Sequence, residues 1–343
     1  MGVFTNYLER LGSNFLVSAM IPSLALVVAC ILVFDPILNI AVAFIDPKGT
    51  PQLVSFSVIV FIFTVIIGFT LTALNTYILK LFEGYVPFFP FGALFARRRN
   101  AHLQKARSLL EERDRLKNWI LQLENNAHIV GQKLNVEDLL VQYYKAVSDY
   151  DLAYPKDLSD VLPTRFGNTL KAAENYPGER YGFDGVHFWP RLVQVIPGEY
   201  KSNIDNVRNE LSFLVNMSIL SMLFCAFCML AIVHSMWTSP GAGTDPSVFF
   251  EFMGKAGRYF LAAFGGFYLC RFFYNASIFS VGSFGLVIRS AFDLFRLDLL
   301  KKLGLEQPVN SIKEFETWQS LNELIVLGSH SLTFTKLDYR KEE

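Results

Sequence analysis

Phe15-Leu-Val-Ser-Ala-Met-Ile-Pro-Ser-Leu-Ala-Leu-Val-Val-Ala-Cys-Ile-Leu-Val-Phe34 is an apolar run of twenty residues, interrupted only by Ser18, Pro22 and Ser23. At about 1.5 Å per residue a helix of this length spans roughly 30 Å, the thickness of a hydrocarbon core. The run is longer than the apolar part of a signal peptide, and it ends in Asp35-Pro36 instead of a small-residue cleavage site. It reads as a first membrane helix, with Pro22 tolerable near its start.

Three further apolar stretches have the same character, at about 53–81, 213–237 and 257–273. Hydrophobic residues make up 52% of the 343-residue chain and charged residues 18%. Soluble domains carry about 25% charge, and the shortfall here is concentrated in these four blocks. The predicted fold class is therefore an all-α integral membrane protein, with four spans in two hairpins and a helical body outside the bilayer. Net charge is zero, so no global field favours nucleic acid.

The predicted organisation follows the chain. Residues 1–14 read as an interfacial helix. Residues 15–82 form the first hairpin, with a short outer helix at 36–45 capped by Asp35 and opened by Pro36. Residues 83–210 form the body, 211–276 the second hairpin with an outer re-entry at 249–253, and 277–343 C-terminal helices and a tail. Eighteen Lys or Arg lie from Lys80 to Arg208, among them Arg97-Arg98-Arg99, whereas the intervals 35–52 and 239–257 hold one each. The positive-inside rule then puts the body and both termini in the cytoplasm.

Within the body, Leu109, Leu116, Leu123 and Val130 recur at heptad spacing, with Ala106, Arg113, Ile120 and Ala127 between them. This predicts a coiled-coil-like helix over 100–131, packed within the body or self-associating. A second helix is expected over 136–150. Leu162-Pro-Thr-Arg-Phe-Gly-Asn168, Ala172-Ala-Glu174 and Arg180-Tyr-Gly-Phe-Asp-Gly-Val-His-Phe-Trp-Pro-Arg-Leu192 follow. Four prolines (163, 177, 190, 197) and several glycines predict a shaped loop there instead of a helix. Arg165, Arg180 and Arg191 either staple that loop through Glu174, Glu179 or Asp184, or meet an anionic lipid or small ligand.

These motifs, together with Ala291-Phe-Asp-Leu-Phe-Arg296 and Leu299-Leu300…Leu303, resemble a pattern in many bacterial multi-pass membrane proteins to which no activity is attached. The resemblance covers roughly residues 80–85 and 160–305. It implies a bacterial inner-membrane setting.

Candidate residues fall in two groups. Ser57, Thr64, Gly68 and Asn75 share a weakly polar helical face, and Ala262 and Gly266 form a small-xxx-small pair. Both sets suit close helix packing or, in an oligomer, a pore lining. Arg165, Arg180, Asp184, Trp189, Arg191 and Arg271 are candidates for coupling body to membrane or for contacting lipid headgroups. Arg271, beside Tyr274, is expected to snorkel.

Further along, Arg289–Asp293 and Asp293–Arg296 are expected as ion pairs. Ser311-x-x-Glu314 reads as a capping box, and 331–339 alternates like a strand. Cys225-x-x-Cys228 reads as packing, because no further ligand stands near it in sequence. No catalytic motif, cofactor site or metal site is expected, and Asp184–His187 is the nearest approach to an acid–base pair. The expected partners are membrane lipids, further copies of the chain and a cytosolic protein, with no nucleic acid. The leading functional expectation is a homo-oligomeric channel tuned by its body. A membrane-anchored sensor or scaffold comes second, and an interfacial lipid-modifying enzyme third.

Overall fold

The computed structural model describes residues 15–34, 50–85, 92–125, 133–238, 246–328 and 337. The expected interfacial helix (1–14), outer helix (36–45) and C-terminal strand lie wholly or almost wholly outside the described residues. All regular structure among the described residues is helical. A π-helical turn, Leu16–Met20, leads into α1, Ile21–Val33. Next come α2, Thr50–Glu83; α3, Gly92–Asn125; and α4, Lys133–Ala153. They are followed by α5, Arg165–Tyr181; α6, Gly185–Leu192; α7, Gly198–Thr238; α8, Pro246–Lys302; and α9, Ser311–Asn322. Among the described residues four stretches are long and apolar enough to cross a membrane: Leu16–Val33, Ser57–Glu83, Gly198–Trp237 and Ala256–Lys302. The chain is an all-α membrane protein.

Two expectations about boundaries change. Residues 249–253 are not a re-entry; they belong to α8, which runs on without a break to Lys302. The third span likewise does not begin at the expected body boundary near 211; it is part of α7, which starts at Gly198. No proline lies inside either helix beyond Pro246 at the very start of α8, which runs on unbroken even through Gly265-Gly266.

The chain divides into two compact units, Met1–Leu79 with Asp205–Ser280, and Lys80–Ile204 with Val281–Glu343. In the first, helices approach through small and polar side chains, as expected where lipid offers no hydrophobic contrast. A Cβ on Gly68 would lie 3.2 Å from the Phe15 ring, and Phe15 meets Phe69 at 4.8 Å. A Cβ on Gly266 would lie 3.1 Å from Phe224 and 3.2 Å from the Ser221 carbonyl. Ser218 Oγ donates to the Cys270 carbonyl at 3.1 Å, and Asn216 Nδ2 to the Ser18 carbonyl at 2.7 Å. Phe61, Phe63, Phe69, Phe260, Phe264 and Phe267 face outward, the arrangement a lipid-facing surface requires.

In the second unit, α3 and α4 form a helix pair. The start of α3 meets the end of α4 at a cluster of Ala106, Tyr150, Tyr154 and Val161. Leu116 and Ile120 extend the buried face of α3, so this part of the heptad stripe packs inside the body, while Ala127 and Val130 lie outside the described residues. The other core gathers Phe183, Phe188 and Leu192 with Phe292, Leu299 and Trp318. Phe183 lies 4.2 Å from the Trp318 ring, 5.0 Å from Phe188 and 5.6 Å from Phe292.

The stretch expected to be a loop is mostly helix. Pro177 sits inside α5 and Pro190 inside α6. A proline removes one backbone donor and crowds the preceding turn. Here Phe166, Ala172, Ala173 and Pro177 together form the buried face of α5, and that packing outweighs the local cost. The turn between α5 and α6 needs Gly182, at φ +90°, whose N–H bonds to the carbonyls of Gly178 and Pro177 as a left-handed cap.

Candidate functional site

The Leu162–Asn168 stretch is a joint between the end of α2 and the start of α5. Helix ends leave their last carbonyls without intrahelical donors. Gly84, at φ +90°, turns the chain so that the N–H groups of Gly84 and Tyr85 bond back to Lys80 O. The carbonyls of Phe82 and Glu83 are met from outside by Thr164 Oγ1, at 2.7 and 2.9 Å. The same oxygen accepts the Gly167 N–H at 2.9 Å and so caps α5. One hydroxyl therefore closes two helix ends.

The flanking residues complete the joint. A Cβ on Gly167 would fall 2.3 Å from Glu83 O, so only glycine admits this approach. Phe166 packs edge-on against Phe82 at 5.7 Å. Asn168 exchanges hydrogen bonds with Leu162, accepting its N–H at 2.7 Å and donating to its carbonyl at 2.9 Å. Arg165 alone of these seven points outward.

A polar network fastens α8 to α5 and α9. Asp293 accepts from Tyr181 Oη at 2.6 Å and from Tyr176 Oη at 2.9 Å. Burial, then the carboxylate hydrogen bond, raises both phenols above their ordinary value. Arg296 lies over the Tyr181 ring at 4.3 Å and pairs with Glu314 at 2.6 Å. Arg289 donates to the carbonyls of Asp151 (2.6 Å) and Ala172 (2.9 Å) and covers the Tyr176 ring at 5.1 Å. The expected Arg289–Asp293 and Asp293–Arg296 ion pairs do not form. Helical spacing allowed them, but tyrosines arriving from α5 offer the carboxylate shorter partners. The capping box at Ser311 is likewise replaced: Asn310 caps α9 by accepting the Lys313 N–H, and Glu314 turns to Arg296.

A cavity of about 370 Å³ opens where α3, α4, α5 and α8 converge. Five basic and three acidic side chains line it, with Tyr143, Tyr154 and Tyr176. Asp114 is held by Arg113 at 2.7 Å. Glu179 accepts the Lys156 N–H at 3.2 Å, and its partial burial raises its carboxyl above the usual range. Lys117, Lys156 and Arg180 form no ion pair among the described residues.

No family model, curated protein or solved structure matches this chain.

The candidate residues are therefore placed by geometry alone. Thr64 and Gly68 are buried in their own unit, and Thr64 Oγ1 donates to the Val60 carbonyl at 2.8 Å. Asn75 is half-buried, with Oδ1 lacking a partner among the described residues, and Ser57 is exposed. Ala262 is half-buried and Gly266 is packed on α7. Arg271 is exposed and lies 6.0 Å from the Tyr274 ring. Trp189 is half-buried against Phe292 at 5.8 Å.

Arg165, Arg180 and Arg191 are exposed. They do not staple the stretch through Glu174, Glu179 or Asp184; among the described residues Arg191 donates to the His187 carbonyl, at 2.8 Å. The stapling arginines are Arg289, Arg296 and Arg99, the last holding the carbonyls of Val161 and Ser159 at 2.8 and 2.9 Å. Of the candidate group only Arg180 reaches the cavity.

Asp184 and His187 do meet, at 3.0 Å. Asp184 Oδ1 at the same time accepts the N–H groups of Val186 and His187 as the cap of α6. That engagement makes Asp184 the cap of α6. Thr164, Gly167 and Asn168 were not among the candidate residues read from the sequence, and Asp293 was read only as an ion-pair partner. Their signal was the density of small and polar residues in Leu162–Asn168, but their partners lie far away along the chain.

Proposed function

We propose that this is a multi-pass bacterial inner-membrane sensor, in which a cytoplasmic helical body binds a small ligand or partner and passes that state to the membrane helices. The observation that carries the reading is the joint. Thr164 and Gly167 grip the last turn of α2, and α2, α7 and α8 each continue unbroken from one unit into the other. A rigid helix held at its end is a means of conveying a rearrangement. The cytoplasmic placement of the body and both termini rests on Arg97-Arg98-Arg99 directly after α2, and the bacterial setting on the motif resemblance.

A homo-oligomeric channel is the other reading of the same helices. Thr64 and Gly68, which would line its pore, are buried within one chain's unit, so the sensor takes precedence. Currents in planar bilayers, together with a mass above that of one chain, would reverse that order.

The test of coupling uses Ser57→Cys as a reporter near the far end of α2, in a background without other cysteines. Its thiol-labelling rate in nanodiscs is compared with and without Gly167→Leu. A several-fold change is expected. An unchanged rate in a protein whose body has measurably loosened would overturn the reading.

A further inference from the structure

We infer that the cavity between α3, α4, α5 and α8 binds a soluble phosphate-bearing ligand with a planar ring, the chemistry of a nucleotide. The assignment deepens the sensor reading and rests on it for its purpose. The binding itself rests on the cavity.

Its volume, about 370 Å³, falls within the range of roughly 300–1,000 Å³ typical of small-molecule sites. The charge inside is unbalanced. Arg113 and Asp114 neutralise each other, leaving Lys117, Lys156, Arg180 and Arg289 against Asp151 and Glu179. Three of the cations come from separate places, Lys117 on α3, Lys156 in the loop before α5, and Arg180 on α5. Cations brought to one concave site from separate elements raise its local positive potential and so its attraction for an anion.

Arg289 supplies a second, independent observation. Its Nη2 is engaged by two backbone carbonyls, which hold the guanidinium in the cavity wall, while its Nε–H is buried with no acceptor among the described residues. That Nε–H has no accessible surface, so the cavity meets the fixed charge of the guanidinium and not this donor. Half-buried Tyr143 supplies an aromatic face on the wall, behind which Tyr154 is packed in the core. Aromatic side chains accept a base face without demanding a particular base, while arginine and lysine take the phosphate oxygens.

The test is calorimetric titration of the full chain in nanodiscs of zwitterionic lipid with ATP, AMP and inorganic pyrophosphate. Saturable binding of ATP is expected, weakening with salt. Arg180→Gln and Lys117→Gln should each weaken it about tenfold, whereas Arg191→Gln, on an exposed face away from the cavity, should not. Equal affinity for pyrophosphate and ATP would overturn the ring part of the assignment. Nanodiscs containing phosphatidic acid test the source of the phosphate: loss of ATP binding there would assign the cavity to a lipid headgroup and overturn the soluble ligand. No saturable binding of any probe, or binding indifferent to Arg180→Gln and Lys117→Gln together, would remove the site. ATP binding without a change in Ser57→Cys labelling would leave the cavity standing and remove the sensor. A labelling response to Gly167→Leu with no ligand bound by the wild type would do the reverse.

Discussion

The hydroxyl of Thr164 donates to the backbone carbonyl of Phe82 at 2.7 Å, across 82 residues of chain. It also caps α5 through the Gly167 N–H. Thr164→Val keeps the shape and removes both functions. A lost N-cap costs about 1 kcal/mol, and the uncapped α2 carbonyls add to it, so a loss of about 1–2 kcal/mol is expected on denaturant unfolding. Thr164→Ser should recover most of it. If the valine variant unfolds like the wild type, the hydroxyl has no part in holding the joint.

Gly167→Ala tests the same joint by bulk. Its Cβ would sit 2.3 Å from a backbone oxygen, which cannot rotate away. Overpacking of this kind costs about 1–3 kcal/mol. Because Thr164 and Gly167 serve one contact, the double variant should lose less than the sum of the two single losses. Strict additivity in thermal or chemical unfolding would show that they act separately.

Arg296 and Glu314 form a mostly buried pair at 2.6 Å, with side-chain exposures of 18% and 14%. Removing one partner leaves the other charge desolvated. Arg296→Gln and Glu314→Gln should each cost about 2–3 kcal/mol, and the double variant should cost less than the sum of the two. The measurement is a double-mutant cycle. A coupling energy of zero would mean that solvent already screens the pair.

Asp184 supplies a pH dependence. Burial alone would raise its carboxyl, but the hydrogen bonds from His187 and Val186 outweigh it and hold the group below its ordinary value. A depressed carboxyl stabilises the fold above its unfolded pKa, and that contribution disappears as pH falls through the folded value. Asp184→Asn keeps a capping oxygen and should lose this acid sensitivity, while Asp184→Ala should lose about 1 kcal/mol at neutral pH as well. Unfolding curves at neutral and strongly acidic pH decide it: an asparagine variant with wild-type acid sensitivity would place that sensitivity in other groups.

Gly266 lets α8 approach α7. Gly266→Leu cannot fit against Phe224 and the Ser221 carbonyl and should lower the melting temperature in detergent. Gly266→Ala, with contacts only slightly tight, should change it far less. Equal melting of the two variants would show that α7 and α8 separate freely at this level.

How much was legible from sequence follows the range of the forces involved. Phe15–Phe34 and the other three apolar runs could be read directly, because the preference of a segment for hydrocarbon is a sum over its own residues. The stripe of Ala106, Leu116 and Ile120 was legible for a similar reason: helical periodicity is local. The proline count at 163–197 misled, because the burial of Phe166, Ala172, Ala173 and Pro177 on one face of α5 depends on what lies against that face.

The amino-acid sequence by itself determined an all-α membrane protein with four apolar spans and a charged helical body, since hydropathy and helical period need no knowledge of neighbours. Only the tertiary structure decided that Asp293 serves Tyr176 and Tyr181, that Arg296 serves Glu314, and that Thr164 closes the end of α2. Hydrogen bonds and ion pairs act over a few ångströms, and each of these groups had nearer candidates along the chain. Which partner comes within reach is settled when helices pack, and spacing in the sequence carries no record of that choice.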